Sequence, residues 1–182
     1  MIYALEQQSK LVAVTDYCNY PPEAKLKGSI GGLLNPNLEK IISLQPDLLI
    51  GTTAHSELAI KLNTKNITTI LLPNDTIDEI LKSIDSIGTL LTCHNQADRL
   101  VQSIKDSLQY YRIKPDSLPD RLPNAMLVLG RDPGSTRNIG VIGSYNYMDS
   151  IWTFIGGINL FTDLNTRFAQ VSRENIIDRN PD

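Results

Sequence analysis

Asn35-Pro36-Asn37-Leu38-Glu39-Lys40-Ile41-Ile42-Ser43-Leu44-Gln45-Pro46-Asp47-Leu48-Leu49-Ile50-Gly51 holds a helix, its stop and the strand that follows it. Asn35 is the expected cap and Pro36 suits the first helical turn, where its missing N–H costs nothing. Leu38, Ile41 and Ile42 make one apolar stripe, and Pro46 ends the helix. Leu48 to Gly51 is a short apolar run of the kind that forms a buried strand. Working outward, Leu11 to Thr15 and Thr69 to Leu72 are two further runs of that kind, and a weaker helical pattern, Glu57 to Leu62, lies before the last. Strand, helix, strand in this rhythm predicts parallel β-α-β units covered by their crossover helices.

From Thr76 the period changes. Ile77, Ile80, Leu81, Ile84, Ile87 and Leu91 recur at helical spacing, with Asp75 as the expected cap. Ala97, Leu100, Val101, Ile104, Leu108 and Tyr111 continue in a second helix of about 19 residues, roughly 28 Å at the helical rise, enough to pass from one lobe to another. The polar segment Pro115 to Pro123 ends it. A strand is expected at Ala125 to Leu129 and another at Gly140 to Gly143, then a helix from Met148 to about Ile155 closing on Gly156-Gly157, and a loop from Asn159 to Gln170.

The opening motif occurs twice. Asn37 to Asp47 aligns with Ser172-Arg173-Glu174-Asn175-Ile176-Ile177-Asp178-Arg179-Asn180-Pro181-Asp182, sharing the glutamate, both isoleucines, the proline and the aspartate in register. Each copy follows an Ile-Gly-Gly, at Ile30 to Gly32 and Ile155 to Gly157. Two lobes built alike, each with one glutamate facing out near a helix start, predict a ligand cleft between them. The first copy runs on into Leu48-Leu49-Ile50, whereas the sequence stops at Asp182. Met1 to Leu5 resembles the tail of a helix. Both points lead us to expect a fragment truncated at each end.

Composition narrows the function. The chain has 182 residues, 41% hydrophobic and 20% charged, as in a globular protein, and a formal net charge of -3 opposes general nucleic-acid binding. No apolar run approaches the roughly 18 residues of a membrane span, and Met1-Ile2-Tyr3-Ala4-Leu5-Glu6 is no signal peptide. Two cysteines, Cys18 and Cys93, make neither a disulfide framework nor a metal cluster; a single bridge or two free thiols are both open. His55 and His94 have no carboxylate or cysteine at ligand spacing on one helix face, and each is expected as a surface or capping residue. Gly130 to Arg137 is rich in small and basic residues but lacks the Gly-Lys-Ser/Thr of a phosphate loop, and no Gly-x-Ser-x-Gly elbow occurs.

Val14-Thr15-Asp16-Tyr17-Cys18-Asn19-Tyr20-Pro21-Pro22-Glu23-Ala24, Gly31 to Glu39 and Gln45 to Gly51 resemble the cobalamin and iron-siderophore periplasmic binding proteins, as do Gly156-Gly157-Ile158-Asn159-Leu160-Phe161 and Val171 to Glu174. The resemblance implies two Rossmann-like α/β lobes joined by one long rigid helix, the second lobe incomplete: residues 1–92, a connecting helix 93–114, and residues 115–182. It implies an ABC importer subunit that captures a corrinoid or iron chelate and delivers it to permease subunits. Such a subunit is no enzyme, has no resident cofactor or metal, binds no nucleic acid, is monomeric, and is periplasmic or anchored outside the membrane. By the same resemblance Glu39 and Glu174 dock onto permease arginines, a directional contact. Tyr20 and Phe168 match aromatics that flank the ligand, whose flat faces suit a macrocycle. Tyr17, Leu33 and Thr52 belong to the expected contact set, and Leu33 and Thr52 stand where tryptophans line the cleft in cobalamin members. Arg131, Tyr145 and Tyr147 fall on second-lobe segments expected near the ligand. The alternatives are a small α/β enzyme or nucleotide-binding protein, and a decayed family fragment that binds nothing.

Overall fold

The computed structural model describes residues 1–112, 122–135 and 137–182. The chain divides into two compact units, Met1–Asn74 with Leu81–Val101, and Asp75–Ile80 with Gln102–Asp182.

In the first unit, β1 (Ala13–Val14) pairs in parallel with β2 (Gly28–Ser29), and helix α1 (Leu38–Ser43) follows. The cap of α1 is Asn37, whose side chain accepts from the Lys40 N–H at 2.9 Å, not the expected Asn35. The cap sits just past the proline: Asn35 belongs to the bend that the Gly31–Pro36 β-bridge closes, and the helix starts beyond it. Strand β3 (Leu48–Thr52), helix α2 (Ser56–Asn63) and strand β4 (Thr68–Leu72) then form the expected parallel unit, with Leu48 opposite Thr68 and Thr52 opposite Leu72. Ile41, Leu62 and Ile67 make its core, packed by Ile30, Leu38, Ile42, Leu49 and Leu58. Fully burying one such side chain contributes roughly 1.5–3 kcal/mol.

Helices α3 (Ile77–Leu90) and α4 (His94–Tyr111) each contribute residues to both units. Thr76, not the expected Asp75, caps α3: its hydroxyl accepts from Glu79 N–H at 3.2 Å, while the Glu79 carboxylate accepts from Thr76 N–H at 3.1 Å. That reciprocal pair is a capping box. A Cβ on Gly88 would lie 2.5 Å from the Ala97 methyl, so glycine there lets α4 approach α3.

In the second unit, the expected strand Ala125–Leu129 is two pieces. β5 (Asn124–Ala125) pairs in parallel with β8 (Ile158–Asn159), and β6 (Val128–Gly130) pairs antiparallel with β7 (Ile139–Ile142). The run therefore serves two different partners. Helix α5 (Tyr147–Phe154) ends before Gly156, whose φ of +81° closes the turn. The segment expected as a loop, Asn159 to Gln170, holds the last residue of β8 and most of β9 (Phe168–Val171), which pairs antiparallel with β7. Its local pattern is polar, and long-range pairing makes it a strand. Asn159, 1% exposed, donates to the Ile142 carbonyl (3.0 Å) and to Asp149 (2.7 Å), and accepts from Phe161 N–H (3.1 Å). A buried amide satisfied on both sides ties β7, α5 and β8 together. Ile139, Val141 and Phe161 form the core, packed by Met126, Leu160, Leu164, Val171 and Ile176, and helix α6 (Arg173–Arg179) follows β9. Most of Pro115 to Pro123, and Thr136 in the segment Gly130–Arg137, lie outside the described residues.

Candidate functional site

The segment after β1 is tied down at its base. Asp16 accepts from the Ser29 hydroxyl and its N–H donates to the Gly31 carbonyl at 2.9 Å, while Cys18 N–H donates to the Thr15 carbonyl at 3.0 Å. From this base Tyr17 and Tyr20 project into solvent, 70% and 87% exposed. Cys18 is an exposed free thiol and Cys93 a buried one.

Leu33 and Thr52, far apart in sequence, are joined by His55. The imidazole Nδ1 accepts from Thr52 N–H at 3.1 Å, and Nε2 lies 2.7 Å from the Leu33 carbonyl oxygen. His55, expected as a surface or capping residue, is a buried cap, and the bridge escapes sequence reading because one partner is a backbone carbonyl 22 residues away. His94 is exposed at the start of α4.

In the second unit a polar cluster surrounds two of the expected residues. The Tyr145 hydroxyl donates to Glu79 Oε1 at 2.7 Å, and Arg167 pairs with Asp75 at 2.7 Å while its guanidinium lies 5.8 Å from the Phe168 ring centre. The Tyr145 hydrogen bond, followed by those from the Thr76 and Asp75 backbones, holds the Glu79 carboxyl below its usual range against desolvation. The same bond to Glu79 raises the Tyr145 phenol, and Asp75 raises the Arg167 guanidinium. Tyr145 and Phe168 stay about half exposed. Of these partners only the Thr76–Glu79 spacing is visible in sequence; Arg167 and Asp75 are 92 residues apart.

Arg131 sits elsewhere, at the β6–β7 turn, where its guanidinium donates to the Ser135 carbonyl at 3.4 Å. An apolar recess of about 310 Å³ is lined by Leu127, Val128, Ile142, Tyr147, Met148, Ile151 and Trp152, and includes none of Arg131, Tyr145 or Phe168. Among the described residues no three acidic, histidine or cysteine side chains are placed to hold a metal, and no helix is long and apolar enough to cross a membrane.

The repeat is matched in the backbone. Glu39 and Glu174 are both exposed and both second in a helix capped by a polar side chain, Asn37 and Ser172. Gly31 (φ +97°) and Gly156 (φ +81°) are both left-handed, as are Gln45 (φ 47°) and Asn180 (φ 46°) before each Pro-Asp. Hydrogen bonds from its own backbone N–H and from Ser172 hold the Glu174 carboxyl below its usual range.

Two α/β units, each carrying one copy of a repeated capped helix, set the fold. A sequence profile of the periplasmic binding protein family matches residues 1–182, and the chain belongs to that family. It is 32% identical over 186 residues to the ABC transporter substrate-binding lipoprotein YvrC of Bacillus subtilis, covering 99% of this chain and 57% of that protein. It is 27% identical over 183 residues to the vitamin B12-binding protein of Vibrio cholerae, covering 98% of this chain and 63% of that one. Among solved structures, the Vibrio cholerae periplasmic vitamin B12 binding protein BtuF superposes with a TM-score of 0.79 at 27% identity, covering 99% of this chain and 69% of that one. A periplasmic heme binding protein of Pseudomonas aeruginosa gives 0.86 at 22% identity over 99% of this chain and 64% of that one, a likeness of fold. The chain thus spans about 57 to 63% of the curated relatives' length. Those relatives, by their names periplasmic or lipoprotein, work outside the cytoplasm.

Proposed function

We propose that the chain is the substrate-capturing component of an ABC importer, working as a monomer in the periplasm or from an extracytoplasmic lipid anchor. It binds a corrinoid or an iron chelate such as heme and hands it to permease subunits; it performs no catalysis and needs no resident cofactor. The observation that carries this reading is the glutamate pair, Glu39 and Glu174, exposed at equivalent positions of two equally capped helices. A loose acidic surface would not repeat its cap, its glutamate and its left-handed stop together. Carboxylates presented in this way suit bidentate docking by permease arginines. The ligand-contact set is Tyr17, Tyr20, Leu33 and Thr52 in the first unit, and Arg131, Tyr145 and Phe168 in the second. Residues 93–114 act as the connector between lobes 1–92 and 115–182, a role supported by α4 drawing residues from both units.

The test is a double substitution, Glu39→Ala with Glu174→Ala, followed by ligand titration and by uptake into vesicles carrying the permease. Uptake should fall at least about tenfold, the loss of one or more charge-assisted contacts, with affinity unchanged. A weakened affinity with normal uptake would remove these residues from the docking surface.

A further inference from the structure

His55 is buried, 9% exposed, in the short turn Thr53–His55 that leads from β3 into α2. Its two ring nitrogens face groups of opposite kind. Thr52 N–H can only donate, so Nδ1, 3.1 Å away, is an acceptor without a proton. The Leu33 carbonyl can only accept, so Nε2, 2.7 Å away, carries the proton. The partners therefore select one neutral tautomer. The fit is also made by sequence: a Cβ on Gly51 would come within 3.3 Å of Nδ1 and 3.4 Å of the His55 Cβ, so glycine at that point of β3 leaves room for the ring.

The consequence falls on the segment Gly32 to Asn35. The Gly31–Pro36 bridge closes its base, and among the described residues the bond from His55 to Leu33 is its one hydrogen bond to another element. The side chains there are outward, with Leu33 44% and Leu34 73% exposed, so little packing holds the segment. A loop held by one buried strut is pre-ordered at that strut, and pre-ordering removes a cost from binding.

We propose that His55 is a positioning residue for ligand capture: as the Nε2–H imidazole it locks the Leu33 segment to Thr52, so that the two meet the ligand as one surface. This rests on the reading of Leu33 and Thr52 as ligand contacts. The side chain itself, buried behind them, touches protein rather than ligand.

The experiment compares the full chain with His55→Leu and His55→Gln. The leucine fills the space without polar atoms, and the glutamine restores one donor and one acceptor. Amide exchange at Thr52 is read without ligand, and affinities for cyanocobalamin and hemin are read by titration, beside melting temperature. His55→Leu should speed Thr52 exchange at least about tenfold and weaken the bound probe about tenfold, as for one lost buried hydrogen bond and its ordering. His55→Gln should recover part of both. If the leucine variant does not fold, Gly51→Ala, which displaces the ring by a few tenths of an ångström, should move both readouts the same way by a smaller factor. Unchanged Thr52 exchange overturns the strut. Faster exchange with affinity within twofold overturns the positioning role. A wild-type chain that protects Thr52 yet binds neither probe overturns the ligand reading, and with it the ligand role of a strut that is nonetheless present.

Discussion

Residues 37–47 and 172–182 follow one pattern, yet the two helices are covered differently. Both have a polar cap, an exposed glutamate in the second helical position and a left-handed residue ahead of Pro-Asp. In α1, Ile41 is 2% exposed and Ile42 packs into the same core with Leu49 of β3 and Leu58 of α2. In α6, Ile176 reaches the Ile139–Val141–Phe161 core, but Ile177 is 67% exposed. Where α1 has Leu44, α6 has Arg179, whose guanidinium forks onto Asp163 at 2.6 and 2.8 Å, reaches the Leu160 carbonyl, and lies 4.5 Å from the Phe161 ring centre. The lesson is that cap, stop and glutamate are set within the motif itself, whereas burial of its apolar stripe depends on what is packed against it.

The comparison breaks most visibly at the isoleucines. Ile41→Ala should cost about 2–5 kcal/mol, as for a buried aliphatic truncated to alanine, Ile176→Ala less, and Ile177→Ala no more than about 0.5 kcal/mol. Urea midpoints with unchanged slopes are the measure. Equal losses at Ile41 and Ile177 would mean that Ile177 is covered in solution.

Arg179→Ala should have the next largest effect, and its pH dependence separates two parts of it. Arg179 holds the Asp163 carboxyl below its usual range, chiefly through the hydrogen bond. A folded-state value below the unfolded one, about 3.9, gives stability that is present above that pH and lost as pH falls through the lowered value. The melting-temperature gap between wild type and Arg179→Ala should therefore be widest near neutral pH and narrow below about pH 4. A gap that does not narrow would assign the effect to the Phe161 and Leu160 contacts.

The smallest effect sharpens the likeness rather than the difference. A non-glycine residue in the left-handed region carries a penalty of about 1–2 kcal/mol, reduced for asparagine. Gln45→Gly should then stabilise by about 0.5–1 kcal/mol and Asn180→Gly by less, since asparagine already tolerates the conformation. Thermal unfolding of the two variants decides it. A larger gain at Asn180 would show that the two stops are not equivalent.

What is readable from sequence follows the same division. The β3–α2–β4 unit is legible because apolar runs and helical spacing there agree with their neighbours, and the glutamate pair because the motif recurs. The cap of α1 is misplaced by two residues because Asn35 lies in the bend closed by the Gly31–Pro36 bridge, and the helix begins only beyond it. Strand β9 and the end of β8 escape because Asn159 to Gln170 has no period of its own, and its pairing with β7 and β5 is remote. His55 escapes as a bridge because half of its site is a backbone carbonyl, which carries no residue signature.

Trp152 is the sole tryptophan of the chain. It lines the apolar recess of the second unit, and a Cβ on Gly157 would lie 2.1 Å from its ring. Its indole N–H is buried without a hydrogen-bond partner among the described residues. The protein therefore contains its own fluorophore, confined to one unit. Its emission, blue-shifted while the indole is dry and red-shifted on exposure, follows the melting of that unit alone, and its silence during an event in the first unit is itself a signal.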